Sequence, residues 1–392
     1  MVATGDLDAL ATQAAIAGAK LVLVGDHHQL GAVGAGGAFA LLADQAEAVH
    51  LSGLWRFEHR WEAEATRGLR DGRTSALDAY AENGRLHGGP AELMMNAAYA
   101  GWAADVAAGH AAVLVANDRS TVAALNQRAH DDRVGAGLVH PDGIRLADDA
   151  IAGVGDIVVT RRNDRRIPTP DGHLRNGALW QVTAASLDGS IEVRPLPRTG
   201  TDTPPPEGHA GASASTVRLP ADYAQAHVEL GYATTVHRTQ GTTVDRGHAV
   251  VQAGMTRQQL YVAMTRGRGG NHAYVALDGV DPACPQPPDG NVIPTVRQML
   301  EKVLTTDGAE LSATATLRRR QDDSTSLRRL LPIRDTLTAA AEAGDGASGR
   351  SADEIRHLLR LRAAQARRPQ AQRRPGVVEP DPTQSRYRGV QR

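Results

Sequence analysis

Four short segments of this chain combine residue types that handle phosphates and nucleic-acid strands. The first, Val24-Gly25-Asp26-His27-His28-Gln29-Leu30, sets a carboxylate and an amide directly after an apolar run. The C-terminal end of a parallel strand is where an α/β sheet presents its ligands. There Asp26 and Gln29 could sense a terminal phosphate or its attacking water, although a polar turn bent at Gly25 uses the same residues. The second, Leu54 to Trp61, carries Arg56, whose guanidinium offers a fixed fork of donors to a phosphate. A carboxylate such as Glu58 or Glu62 is its competing partner, and Arg60 competes with Arg56 for the role.

The third segment, Gly231 to Asp245, packs Thr235, His237, Gln240, Gly241 and Thr243 into a strand-to-helix corner. Backbone N–H groups and hydroxyls at such a corner suit nucleic-acid phosphates, and a Thr-rich strand with a capped helix is the plainer alternative. The fourth, Gln259 to Arg268, ends a helical pattern on Arg266. That arginine is either half of a salt bridge or a finger stabilising a phosphoryl-transfer transition state. Gly31 to Gly37 fails the G-x-G-x-x-G spacing of a dinucleotide loop. No metal-binding His cluster with a nearby tyrosine opens the chain, so a nicking role is not assigned and no metal site is expected.

The elements that must position these segments follow from hydrophobic spacing. Residues 5–17 repeat apolar positions on one helical face with Thr4 as N-cap, and Leu21-Val22-Leu23-Val24 reads as a buried parallel strand. An α/β pattern runs from 53 to 149, with Ala112 to Ala116 as its clearest strand, and returns from 219 to 280. There His227 to Thr235, His248 to Val251 and Ala273 to Leu277 read as strands and 257–266 as a helix. Between 150 and 218, short strands at 157–160, 178–182 and 191–193, separated by Pro-Asp-Gly and Asp-Gly turns, describe a small all-β insertion. Arg161, Arg162, Arg165 and Arg166 cluster there, as a grip for a strand or as a solvated tip balanced by Asp164. Pro204 to Gly208 reads as a flexible exit, and 281–392 as a helical, then disordered, Arg-rich tail.

Composition narrows the classes. A single cysteine excludes a disulfide framework. No apolar run approaches the ~20 residues of a membrane helix, and no leader opens the chain, so a cytoplasmic protein is expected. Net charge is −1; residues 318–392 hold 17 arginines against 9 acidic residues, +8, which leaves −9 for the rest. The balance therefore does not by itself announce a nucleic-acid partner.

In this order and spacing the four segments resemble motifs III, IV, V and VI of superfamily 1 DNA helicases. Among these the chain is most similar to the RecD-like helicases, in particular the helicase portion of conjugative relaxases of the TraI/TrwC kind. The similarity spans roughly residues 1–280 and includes Gly155 to Asp164 in the β insertion. It implies an α/β fold: a remnant of a first RecA-like lobe at 1–52, a second lobe at 53–149 and 219–280, and a small β-barrel insertion at 150–218. It implies catalytic roles for Gln29, Arg56 and Arg266, with the two arginines on the γ-phosphate. Nucleotide coupling falls to Gly25, Asp26, Gln240 and Gly241. Single-stranded DNA contacts fall to Thr235, His237, Thr243, Arg161 and Arg162, and movement is 5′ to 3′.

ATP and Mg²⁺ are the cofactors the resemblance implies, yet the residues that would hold them are not in this sequence. A P-loop needs Gly-Lys-Ser/Thr, while Lys20 precedes Leu21 and Lys302 precedes Val303. The acidic pair should follow an apolar strand, whereas Asp353-Glu354 lies in the Arg-rich end. The expectation is the C-terminal part of a helicase, truncated within its first lobe and unable to hydrolyse ATP without an N-terminal half carrying the P-loop. A stand-alone single-strand-binding or partner-docking module built from helicase parts is the alternative.

Overall fold

The computed structural model describes residues 2–31, 37–45, 48–49, 53, 55–196, 216–278 and 293–308, then 316–317, 320, 326–342, 357 and 360. Ala32 to Gly36, Leu54, Pro204 to Gly208, Cys284 and most of the Arg-rich end lie outside the described residues. Two compact units result, 1–310 and 311–392. In the second unit the helix Leu327–Glu342 carries an internal proline, Pro332.

The first unit opens with helix α1 (Thr4–Ile16) and α2 (Ala38–Gln45), then α3 (Arg60–Arg70) and α4 (Ala76–Glu82). Strand β1 (Leu86–Gly89), α5 (Ala91–Ala107), β2 (Ala112–Ala116) and α6 (Arg119–Gly135) follow. Next come β3 (Gly143–Arg145), β4 (Ile151–Gly153), β5 (Ile157–Thr160), β6 (Asp164–Thr169), β7 (Gly172–Leu174), β8 (Leu179–Ala185), β9 (Ile191–Pro195) and β10 (Val217–Leu219). The chain then runs through α7 (Ala221–His227), β11 (Val228–Leu230), β12 (Ala233–Thr235), a 3₁₀ turn (Val236–Thr239), β13 (Val244–Val251), α8 (Arg257–Ala263), β14 (Gly267–Ala276) and α9 (Val296–Thr305).

The main sheet is wholly parallel, in the order β1-β14-β13-β2-β12. Its central strands are buried on both faces. Leu114, Ala116, Val250 and Tyr274 join the core under α5 and α6, while Val115, Ala249, Val251, Ala273 and Val275 join the core made with α3, α4, α8 and α9. Alternation at period two sends consecutive residues to opposite helical layers. This is the doubly covered α/β sheet of a RecA-like lobe, as expected.

The second sheet is antiparallel, in the order β10-β9-β8-β5-β11. The stretch read as one strand, 227–235, is two: β11 pairs with β5, and β12 pairs with β2. The crossing is held by buried Asn126, whose Nδ2 donates to Leu230 O at 3.1 Å. Its Oδ1 accepts from Tyr232 N at 3.0 Å and Ala233 N at 2.7 Å. Asp156, fully buried, accepts from Tyr232 Oη at 2.6 Å and Gly153 N at 2.8 Å, so the small sheet is pinned to the large one.

Three local expectations are corrected. Leu21 to Val24 forms no strand, and Val22 and Val24 are 67% and 86% exposed. No neighbouring strand lies beside it among the described residues, and a parallel strand is held by ladder bonds from its neighbours. Thr4 does not cap α1; Ala3 takes that place in extended conformation, and no α1 residue is buried. Helix α8 stops at Ala263, so Arg266 lies past the helix, at the threshold of β14.

Candidate functional site

The first three segments converge on the fourth, which carries α8. This seven-residue helix is opened by a capping box in which Thr256 and Gln259 satisfy each other's backbone N–H groups. Its buried Tyr261 projects towards the 25–30 loop, where the phenol donates to Asp26 Oδ2 at 3.0 Å. Asp26 also accepts from Gln29 Nε2 at 3.1 Å and from the His28 backbone N–H at 3.0 Å. Leu30 packs on the core behind α8. Burial, then the neighbouring Asp26 carboxylate, pushes the Tyr261 phenol well above its usual range. The phenol therefore stays a proton donor. Gly25 abuts the Phe39 ring, which a Cβ would meet at 3.3 Å.

Arg266 is fully buried, with no ion-pair partner among the described residues. Its Nε donates to Val262 O at 2.8 Å, Nη1 to Thr239 O at 2.9 Å and Thr242 O at 3.1 Å, and Nη2 to Thr265 Oγ1 at 2.6 Å. Four of its five N–H groups are thus engaged, by carbonyls and one hydroxyl. Burial, then the charge of nearby Arg56, lowers its pKa to about 10. It stays protonated at neutral pH as a desolvated cation. Arg56 reaches the same point: its Nη1 donates to Thr265 O at 2.6 Å. Arg60 instead is exposed and pairs with Glu64 at 3.0 Å, while Glu62 is occupied elsewhere, which leaves Arg56 as the arginine that approaches the centre.

Behind Arg266 the backbone is clamped. Fully buried Glu62 accepts from Asn271 N at 3.0 Å and Asn271 Nδ2 at 2.9 Å. Asn271 in turn closes on Gly267 through its Oδ1, at 2.7 Å from Gly267 N, and its Nδ2, at 3.0 Å from Gly267 O. The β13–β14 register shifts here, so the side chain of Asn271 satisfies groups that the ladder leaves open.

The third segment supplies the floor. Thr235 is buried at the end of β12, His237 is exposed in the 3₁₀ turn, and Thr243 is half-buried. The carbonyls of Thr239 and Thr242 hold Arg266, so the turn carrying Gln240 and Gly241 is bonded to that guanidinium. Gly241 sits at φ +87°, the left-handed region that glycine takes without strain. The Gln240 side-chain oxygen is buried without a hydrogen-bond partner among the described residues.

Arg161 and Arg162 lie apart from this centre, in the small sheet. Arg161 Nε pairs with Glu229 Oε2 at 2.9 Å, and Arg238 of the 3₁₀ turn pairs with the same oxygen at 2.9 Å, so one carboxylate links the two regions. Burial pushes the Glu229 carboxyl up, against the opposing pull of Arg161. Arg162 Nη1 lies 3.2 Å from His227 Nε2, on a cleft of about 400 Å³ also lined by Asp164, Arg166 and Tyr223. Arg166 is engaged by Asp164 at 2.6 Å. Among the described residues no group of three His, Cys, Asp or Glu could hold a metal ion, and no helix is long and apolar enough to cross a membrane.

Sequence reasoning assigned no role to Tyr261 or Asn271, and offered Glu62 only as a competing partner for Arg56. Tyr261 stands five residues before Arg266 inside a segment already singled out, and its phenol within the apolar stretch Leu260 to Ala263 was the available signal. Nothing local marks the Glu62–Asn271 pair, which meets across 209 residues.

Fold and site together define a RecA-like α/β lobe, with an antiparallel sheet attached, whose two site arginines meet at one residue, Thr265. A family model described as an AAA domain matches residues 1–91. The conjugal transfer protein TraA of Rhizobium radiobacter is 30% identical over 277 residues, 68% of this chain. A probable TraA of Sinorhizobium fredii is 29% identical over 279 residues, also 68% of this chain. The chain spans 23% of the length of each of these relatives. A Bacteroides Pif1 helicase structure in complex with ADP-AlF3 and single-stranded DNA aligns over 78% of this chain and 68% of its own, with 15% identity and a TM-score of 0.41. The chain is thus similar to the conjugal transfer TraA proteins over about two thirds of its own length, and its first 91 residues match an AAA domain.

Proposed function

We propose that this chain is the second-lobe side of an ATP-dependent DNA translocase of the conjugative relaxase-helicase type. The observation that carries the reading is the convergence on α8: Asp26 is bonded to the helix, while Arg56 and Arg266 meet at Thr265. Similarity to the conjugal transfer proteins supports the setting. In this reading Arg56 and Arg266 face the terminal phosphate of a nucleotide, and Gln29 and Asp26 respond to it. Gly25, Gln240 and Gly241 shape the two loops involved. Single-stranded DNA runs past Thr235, His237 and Thr243, with Arg161 and Arg162 beside it.

ATP with Mg²⁺ supplies the phosphoryl group in such motors. The residues present fit the terminal-phosphate half of the nucleotide clamp, with two guanidinium groups that both keep N–H donors beyond those bonded to Val262, Thr239, Thr242 and Thr265. The phosphate cradle and the acidic pair must come from a P-loop-bearing segment, because the 392 residues contain no Gly-Lys-Ser/Thr. The chain alone is therefore expected not to turn ATP over. Supplied with a P-loop-bearing first lobe, it should show strand-stimulated hydrolysis, and Arg56→Ala should lower that rate by about 10³-fold. Strand-stimulated hydrolysis by the purified chain alone overturns the reading.

The inward engagement of Arg266 favours a second reading, a single-strand-binding or partner-docking module. It predicts DNA binding that weakens steeply with salt, while the rate of a supplied P-loop lobe does not change.

A further inference from the structure

Tyr261 has the position of a connector rather than of a core residue. Its side chain is buried, and its one side-chain polar atom is spent on the 25–30 loop, at Asp26 Oδ2. The same carboxylate closes the loop on itself through the His28 N–H and the Gln29 amide. On its own element, α8 runs within three residues of Arg266, whose Nε is bonded to Val262 O, the carbonyl next to Tyr261. Arg266 is in turn bonded to Thr239 O and Thr242 O of the strand-facing turn. A continuous path of hydrogen bonds and one helical turn thus runs from Gln29, through Asp26, Tyr261 and Arg266, to the turn carrying Gln240 and Gly241.

We infer that Tyr261 is a positioning residue that couples the Asp26–Gln29 loop to Arg266 and the 239–242 turn. The inference rests on the proposed translocase reading for its purpose, although the tether itself does not. A bond from a buried phenol to a carboxylate is charge-assisted and about twice as strong as a neutral one. Tyr261→Phe removes that bond and keeps the packed ring. The loop is then held by its internal bonds and Leu30, and its motions no longer reach α8.

The test is amide hydrogen exchange on the whole chain, with and without a single-stranded oligo-dT. In the free chain Tyr261→Phe should speed exchange at residues 26–30 by about tenfold, with β13 and β14 unchanged. In the unsubstituted chain oligo-dT should slow exchange at both 236–243 and 26–30. In Tyr261→Phe the response at 236–243 should persist and that at 26–30 should vanish. Asp26→Asn should mimic the free-chain effect, and combining it with Tyr261→Phe should add little. Unchanged exchange at 26–30 in the variant, or a rise shared equally by the central strands, overturns the inference. So does an oligo-dT response at 26–30 that survives in Tyr261→Phe. Failure of either protein to bind oligo-dT counts against the translocase reading instead, while the free-chain comparison still decides the tether.

Discussion

Leu21-Val22-Leu23-Val24 and His248-Ala249-Val250-Val251 are alike on paper, four-residue runs rich in aliphatic side chains. In the folded chain they are opposites. The second lies inside β13, bonded to β14 on one side and β2 on the other, with Ala249, Val250 and Val251 at most 1% exposed. The first has no strand on either side among the described residues, and its valines stand in solvent. Helix α1 before it shows the same pattern, with Ile16 76% exposed. An apolar run thus states a capacity for burial. Whether it becomes a strand depends on neighbours supplying both the ladder and the cover.

The largest break in that comparison comes from the buried side. Leu114, fully buried in β2, faces the core shared with α5 and α6. Leu114→Ala should cost about 2–5 kcal/mol of stability, the transfer loss plus the cavity left in a packed layer. Urea unfolding followed by circular dichroism measures it. A loss below about 0.5 kcal/mol, the scale of an ordinary surface change, would mean that this strand is no better covered than residues 21–24.

A second effect comes from the histidines on the same sheet. His87, His272 and His248 stack across β1, β14 and β13, with ring centroids 5.5 Å apart at each step. His272 faces Arg85 Nη1 at 2.6 Å and His87 Nε2 at 3.2 Å, while His248 faces Asp105 at 2.8 Å and the Tyr274 hydroxyl at 3.1 Å. Burial, then the Arg85 charge, lowers the His272 pKa to about 3; burial also lowers His87 and His248, the latter against Asp105. The folded state thus disfavours protonation of these rings, most of all His272, whereas the unfolded chain takes up protons near pH ~6.5. Between those values the unfolded state binds more protons, so stability falls as pH falls. Their contribution is complete above about pH 6.5 and should drop by on the order of a few kcal/mol towards pH ~3. His272→Gln should flatten the His-dependent part of that slope, and an equal slope in the variant would remove the stack as its cause.

Local signals made much of the architecture legible. Strand β5 coincides with the expected 157–160 and β2 with 112–116, and the expected strand at 248–251 lies within β13. The segments around Asp26, Arg56, Gln240 and Arg266 stood out because each concentrates phosphate-handling side chains in a few residues. Pairing between distant segments was hidden. Sequence could not tell that Val228 to Leu230 and Ala233 to Thr235 join different sheets, because both are short β-type runs and the difference lies in Asn126, more than 100 residues away. It could not tell that Arg266 is turned inward either. That follows from the carbonyls of Thr239 and Thr242, which any residue type could have provided.

The smallest expected effect sharpens the exposed side. Val22→Asp inserts a charge into a run whose continuous hydrophobicity assigns it to a core. Were Val22 covered, an unpaired carboxylate there would cost several kcal/mol or shift its own pKa to stay neutral. At 67% exposure the new carboxylate remains hydrated, loses little apolar contact and disturbs no ladder bond. The expected change is within about 0.5 kcal/mol, read in the same urea unfolding as Leu114→Ala. A loss of about 3 kcal/mol, comparable to a core substitution, would show that residues 21–24 are covered in the free chain. A small loss in the free chain that grows when a P-loop-bearing first lobe is present would instead identify this run as the strand that lobe covers. The same four residues would then behave as β13 does once neighbours are supplied.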